Sequence, residues 1–278
     1  MATYVWDIKD RYKAAMNAEI RGQRAIWLGG GTPTEQNTID YVTITTTGDA
    51  ADFGDLVAIQ THGAGNGSNT RLFIGGGRTH PAEIKTINYV TAQSTGNSVD
   101  FGDLTDERGR LASCSNNTRG LWAGGDDGPS MSDIIDHISM ASLGDAIDFG
   151  NLSGGASYMQ GCGNYTRGVI HLGYDDGGAK NVLEYVQVAT LGNATDFGNL
   201  STARYQSACS ASDKRGLFAG GVPLGSIDVI DYITFETIGN ASDFGDLSEA
   251  RGDASGCSNN IRHSWAIISS SPNSSCVI

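Results

Sequence analysis

The residues with the most suggestive chemistry are side-chain oxygens set at a fixed spacing. Asp49, Asp52 and Asp55 are followed by Asn97, Asp100 and Asp103, by Asp145, Asp148 and Asn151, by Asn193, Asp196 and Asn199, and by Asn240, Asp243 and Asp246. Carboxylates and amides spaced this way around a glycine can gather about a calcium ion, which takes oxygen ligands. The same residues are turn formers, because Asp and Asn accept hydrogen bonds from nearby backbone N–H groups. The loop lacks the dense acidic set of a dedicated calcium loop. The turn reading is therefore preferred, and no cofactor is expected.

Histidine and cysteine offer little catalytic chemistry. The histidines are His62, His80, His137, His171 and His263, and none keeps metal-ligand spacing with another. No nucleophile motif accompanies them. Cys114, Cys162, Cys209 and Cys257 share one position of a repeat, where Asn66 stands in the remaining copy. Equivalent positions on neighbouring blades of a ring are poorly placed for pairwise disulfides, so these thiols are expected to be reduced and buried. Cys276 stands third from the end and fails the prenylation pattern. Most carboxylates sit at repeated turn positions, which reads as architecture. The chain is not expected to be an enzyme.

The elements that carry these residues are copied through the chain. Asp-Phe-Gly-Asp/Asn-Leu occurs with its phenylalanine at Phe53, Phe101, Phe149, Phe197 and Phe244. A diglycine follows a large apolar residue in Trp27-Leu-Gly-Gly, Phe73-Ile-Gly-Gly, Trp122-Ala-Gly-Gly and Phe218-Ala-Gly-Gly, with Ile170-His-Leu-Gly as a degraded copy. Asp40-Tyr41, Asn88-Tyr89, Asp136-His137, Glu184-Tyr185 and Asp231-Tyr232 recur in step. A repeat of this length, rich in β-branched residues and glycine, predicts four-stranded propeller blades. The repeated phenylalanine is expected to plug between blades.

The order Arg204-Tyr-Gln-Ser-Ala-Cys209, Arg215-Gly-Leu-Phe-Ala-Gly-Gly221, Asp231-Tyr232, Phe244-Gly-Asp-Leu247, Arg251 resembles the Kelch repeat. Phenylalanine replaces the tryptophan usual in the last Kelch strand. The resemblance implies an all-β fold, a five-bladed Kelch-like β-propeller over residues 24–268. Repeats of Asp-Phe-Gly-Asp-Leu are also similar to virion structural proteins of marine and cyanobacterial tailed phages. That second resemblance implies a particle component assembled in the host cytoplasm.

The ends define the closure. Asp253-Ala-Ser-Gly-Cys257 repeats a first strand, and the chain enters at the second strand, Arg24-Ala-Ile-Trp27. Pairing the two would complete a blade and remove exposed edges. Arg262-His-Ser-Trp-Ala-Ile-Ile268 is a sixth copy of the second strand with no assigned place. Residues 1–23 form an anchor segment in which Ile8, Tyr12, Ala15, Met16 and Ile20 follow helical spacing, predicting a short amphipathic N-terminal α-helix. Residues 269–278 form a Ser-rich tail.

A formal charge of −13 argues against nucleic-acid binding, and no stretch has the apolar length for membrane insertion. Function is expected where the copies differ. The second-to-third strand connections diverge most and are expected on one face, at Thr32–Asn37, Arg78–Lys85, Asp126–Met131, Tyr174–Lys180 and Val222–Ser226. The candidate partner-binding residues are Trp6, Tyr12, Met16 and Ile20 of the N-terminal segment, with Arg78, His80, Asp126, Asp127, Asp175 and Asp176 of the loops. The expected function is a non-catalytic structural or protein-interaction propeller. Its partners would be other virion proteins or further copies of itself, in a phage tail or on a capsid. The alternative is a carbohydrate-binding propeller for host attachment. Glycan binding predicts exposed aromatics on one face, and scaffolding predicts an apolar contact patch.

Overall fold

The second strand of each copy is a short run of large apolar residues with no alternation, as a strand covered on both faces requires. Arg71–Gly75, Arg119–Ala123, Arg167–His171 and Arg215–Ala219 form these strands, and after the first residue every position is buried. A computed structural model describes residues 24–31, 34–44, 46–223, 225–258, 263–267 and 275–277. The proposed helix, with Trp6, Tyr12, Met16 and Ile20, lies outside the described residues.

The described residues form an all-β, five-bladed propeller. From the axis outward, blade two is Ala64–Gly67, Arg71–Gly75, Thr86–Thr91 and Val99–Asp103. Blade three is Ala112–Ser115, Arg119–Ala123, Ile134–Ser139 and Ile147–Asn151. Blade four runs Gln160–Gly163, Arg167–His171, Gly178–Gln187 and Thr195–Arg204, and blade five runs Ala208–Ala211, Arg215–Ala219, Ile227–Thr234 and Ser242–Arg251. Each sheet is antiparallel throughout.

Closure differs from the sequence expectation. Blade one is Ser275–Val277, Arg24–Gly31, Glu35–Thr43 and Ala51–Asp55, so the extreme C-terminus supplies its innermost strand. Ala254–Ser258 instead pairs with His263–Ile267, the sixth copy of the second strand. A hairpin with so short a connection forms at less entropic cost than a pairing that spans the chain. This two-stranded sheet sits between blades five and one. Ala254–Ser258 lies beside Ala208–Ala211 on one side and Ser275–Val277 on the other.

The blades are held by three repeated devices. Phe53, Phe101, Phe149 and Phe197 are buried among residues of the following blade, for example Phe101 with Trp122, Ile138 and Met140. Burying each ring contributes roughly 1.5–3 kcal/mol. The oxygens of the Asx ladder form a clasp. The Asp55 N–H donates to Asn97 Oδ1 at 3.1 Å, and the same bond joins Asp103 to Asp145, Asn151 to Asn193 and Asn199 to Asn240 at 3.0 Å. These side chains serve backbone N–H groups of the preceding blade, whereas the turn reading expected bonds to nearby backbone, which Asp52 and Asp243 make to Gly54 and Gly245. The third device is a small residue facing a glycine. A Cβ on Gly168 would lie 2.2 Å from Cys114 Sγ, and one on Gly216 would lie 2.6 Å from Cys162 Sγ. The repeated Arg-Gly step thus leaves room for the thiol of the preceding blade.

Candidate interaction faces

The pairing Ala64↔Gly75 sets the start of an innermost strand beside the end of the second strand. The crossing into each blade and the variable second-to-third connection therefore emerge together on one face. Bridges between Thr61 and Arg78, Gly109 and Asp126, Ser157 and Tyr174, and Tyr205 and Val222 tie the two segments in blades two to five.

On that face, at the mouth of the axial channel, five residues occupy one repeat position. They are His62, Arg110, Tyr158, Gln206 and Asp253, with φ of 57°, 58°, 51°, 54° and 51°. Left-handed backbone is uncommon in non-glycine residues and costs about 1–3 kcal/mol each. A chain of interblade bonds holds it. The Arg110 N–H donates to the His62 carbonyl at 2.9 Å, Gln206 to Tyr158 at 3.5 Å, and Asp253 to Gln206 at 3.1 Å. Behind the mouth lies a cavity of about 240 Å³ bounded by the small residues of the innermost strands, such as Gly65, Ser113, Gly161 and Ser210.

Around the mouth, Arg110 pairs with Asp126 at 2.6 Å and approaches Glu83 at 3.9 Å. Its guanidinium stacks 5.0 Å from the Tyr158 ring centroid. Tyr205 meets Tyr158 and Tyr174 edge to face at 5.6 and 5.3 Å, and all three rings are half-buried. Burial pushes the Asp126 carboxyl up despite Arg110. Asp253 Oδ1 is buried without a hydrogen-bond partner among the described residues, and burial pushes that carboxyl up too.

Of the loop residues singled out in the sequence, all six lie on this face, at different depths. Asp126 is buried in its ion pair, whereas His80, Asp127 and Asp176 are exposed. Arg78 is half-buried and donates to the Pro81 carbonyl at 3.2 Å. Asp175 pairs with Lys180 at 2.9 Å. The left-handed ring escaped the sequence reading, although its five unlike residues recur one repeat apart.

The buried thiols are held protonated, the form that is not nucleophilic. Burial pushes the Cys114 and Cys209 thiols up to about 12, and Cys162 well above its ordinary value. All three cysteines are free. Burial lowers His171 to about 4, and burial with the Arg110 and Arg78 charges lowers His62 to about 4. Both rings are neutral in the fold at pH 7. Their stabilisation is complete above an unfolded value near 6.5 and is lost as pH falls toward 4. Unfolding in urea at pH 7 and pH 4.5 should show a loss of up to about 3 kcal/mol per histidine. His171→Leu should flatten that dependence, and an unchanged slope would refute the assignment.

A second candidate surface lies on the opposite face, where the third-to-fourth turns emerge. Leu143, Leu191 and Ile238 take one position of the third-to-fourth turn in blades three, four and five, and are 60%, 58% and 56% exposed. Val99 and Ile147, which open the outermost strands of blades two and three, are exposed as well. No protein-family model matches the chain, and no curated protein matches it.

Proposed function

We propose that this propeller is a non-catalytic scaffold that joins protein subunits. The observation that carries the reading is an exposed aliphatic residue repeated at one turn position in three successive blades, Leu143, Leu191 and Ile238, a regular apolar feature on a rigid scaffold. The five-bladed fold is consistent with an interaction scaffold. Thiols held protonated by burial at Cys114, Cys162 and Cys209 support a role without thiolate chemistry.

The assembly we propose is a tailed-phage particle, with the protein located in the virion, in the tail or on the capsid. Support comes from the Asp-Phe-Gly-Asp-Leu repeat, and the Arg, Gly-Gly and aromatic order supports a divergent Kelch-like lineage. Changing Leu143, Leu191 and Ile238 together to Ser tests the scaffold. Each site is exposed, so stability should stay within about 0.5 kcal/mol per substitution. Light scattering should show the unaltered chain associating above monomer mass and the triple variant as a monomer. A chain that is monomeric at every concentration would sink the reading.

The Tyr158, Tyr174 and Tyr205 cluster beside Arg110 favours a second reading, a glycan held at the channel mouth for host attachment. A glycan array on the unaltered chain and on Tyr205→Ala separates it from the first.

A further inference from the structure

Blade five ends in a face that is covered in blades one to four. Phe244 is 53% exposed, whereas its four counterparts are 1–3% exposed. A Cβ on Gly54, Gly102, Gly150 or Gly198 would lie 2.4–2.6 Å from backbone atoms of the next blade, but on Gly245 it would meet nothing within 4 Å. Elsewhere the next blade supplies three bonds. At blade two they are Gly144 N–H to the Phe101 carbonyl, Asp103 N–H to Asp145 Oδ1, and Ala146 N–H to the Asp103 carbonyl. Their counterparts at Phe244 and Asp246 are absent among the described residues.

The uncovered face is nonetheless formed for binding. Asp243 Oδ1 accepts the Gly245 N–H at 3.0 Å, as Asp52 does from Gly54 at 3.1 Å, and Gly245 keeps φ 138° beside 139–149° in the covered copies. Beside it the extra sheet has, among the described residues, the two inner strands of a blade. The outer edge of His263–Ile267 has no strand partner among the described residues.

We propose that this notch receives a β-hairpin from a neighbouring polypeptide, which supplies the third and fourth strands of a sixth blade. The proposal rests on the scaffold reading and names the shape of one partner. Four copies within the chain show what fits: Gly96-Asn97-Ser98, Gly144-Asp145-Ala146, Gly192-Asn193-Ala194 and Gly239-Asn240-Ala241. The donor's turn therefore reads Gly, then Asn or Asp, then Ala or Ser. The glycine allows close approach, the Asx oxygen takes the Asp246 N–H, and the small residue donates to the Asp246 carbonyl. Main-chain bonds along His263–Ile267 would add affinity, as in strand complementation. Exposed Asp243 and Asp246, in a chain of net charge −13, favour a neutral or basic hairpin over a second copy of this acidic chain.

The probe is a peptide of residues 178–204, cyclised through its strand ends because an isolated hairpin is marginal in water. Within the chain this segment already covers Phe149 through Gly192, whose N–H donates to the Phe149 carbonyl at 2.9 Å. Hydrogen exchange is followed on the full chain with and without the peptide, and affinity is measured by calorimetry. The Asp246 amide should exchange far faster than that of Asp103 in the free chain and slow at least about tenfold on binding. Phe244→Asp in the protein, or Asn193→Ala in the peptide, should weaken binding about tenfold, the equivalent of about 1.4 kcal/mol. Absent binding, or binding indifferent to Phe244→Asp, overturns the proposal. So does an Asp246 amide already protected in the free chain. Concentration-independent protection would assign the notch to the chain's own residues, and concentration-dependent protection to a second copy. The Leu143, Leu191 and Ile238 triple variant should still bind the peptide, so failure of the scaffold reading remains distinct.

Discussion

Asp231→Ala is expected to cost about 3–5 kcal/mol of folding stability, which for a chain of this size lowers the melting temperature by on the order of 10 °C. Arg204 and Asp231 pair at 2.9 Å with no exposed side-chain surface on either. Asp231 Oδ2 also accepts the Ser201 N–H at 3.1 Å and the Ser201 hydroxyl at 2.8 Å. Removing the carboxylate leaves a guanidinium in the interior with only the Phe218 carbonyl, 3.1 Å away, as a partner. Burial outweighs Asp231 in holding the Arg204 pKa below its ordinary value, so the cation is already poorly accommodated. Arg204 Nε and Nη1 and Asp231 Oδ1 have no hydrogen-bond partners among the described residues. The double change of Arg204 and Asp231 to Leu should therefore regain most of the loss, because it removes both charges and their unmet bonds. Chemical denaturation of the three proteins checks this. A single-variant cost under about 1 kcal/mol would mean that water reaches the pair.

The architecture was legible because its signals are compositional. A pentapeptide repeated five times sets the number of blades, and a phenylalanine in each copy is apolar enough to be read as an interblade plug. Four of the five serve as such, and Phe244 departs because, among the described residues, the sheet after it has no outer strands to cover it. The acidic or amide residue of each third strand was visible, but its partner was not. Asp136 and Asp231 each hold an arginine from the crossing that enters their blade, Arg108 and Arg204. Asn88 holds Gln60 at 3.1 Å instead, and in blade four, where Ala156 stands at the repeat position of the arginines, Glu184 takes the Ser153 N–H at 3.2 Å. A device that changes chemistry from copy to copy leaves no motif.

Closure and the channel mouth were hidden for different physical reasons. Ser275–Val277 is three residues long and carries no repeat signature, yet the backbone edge of Arg24–Gly31 can be paired by almost any extended segment. At the mouth, backbone conformation defines the site, while side-chain type varies. His, Arg, Tyr, Gln and Asp all adopt the left-handed region at one repeat position. Sequence patterns that expect glycine or asparagine there pass over it. The variable loops share a face because strand direction reverses at each turn, which periodicity alone conveys.

Gly102→Ala is expected to destabilise the fold by about 3–5 kcal/mol, and Gly245→Ala by only about 1–3 kcal/mol. Both glycines stand at the same repeat position with φ of 148° and 138°, so both variants carry the conformational strain of a side chain there. Only Gly102 faces a second cost. Its Cβ would lie 2.6 Å from the Gly144 carbonyl oxygen, a backbone atom fixed by the 3.1 Å bond from the Gly144 N–H to Phe101 and the 3.0 Å bond from Asp103 to Asp145. Relief requires breaking that clasp. The difference between the variants, read from urea midpoints at equal slope, thus isolates the interblade contact from backbone strain. Equal costs would show that blade three does not press on blade two as described. Because a hairpin seated in the notch would bring its own glycine against Gly245, binding of the cyclised 178–204 peptide should be weaker to Gly245→Ala than to the unaltered chain. Gly245 is then retained for the same close approach that Gly102 makes, with the approaching turn supplied from another chain.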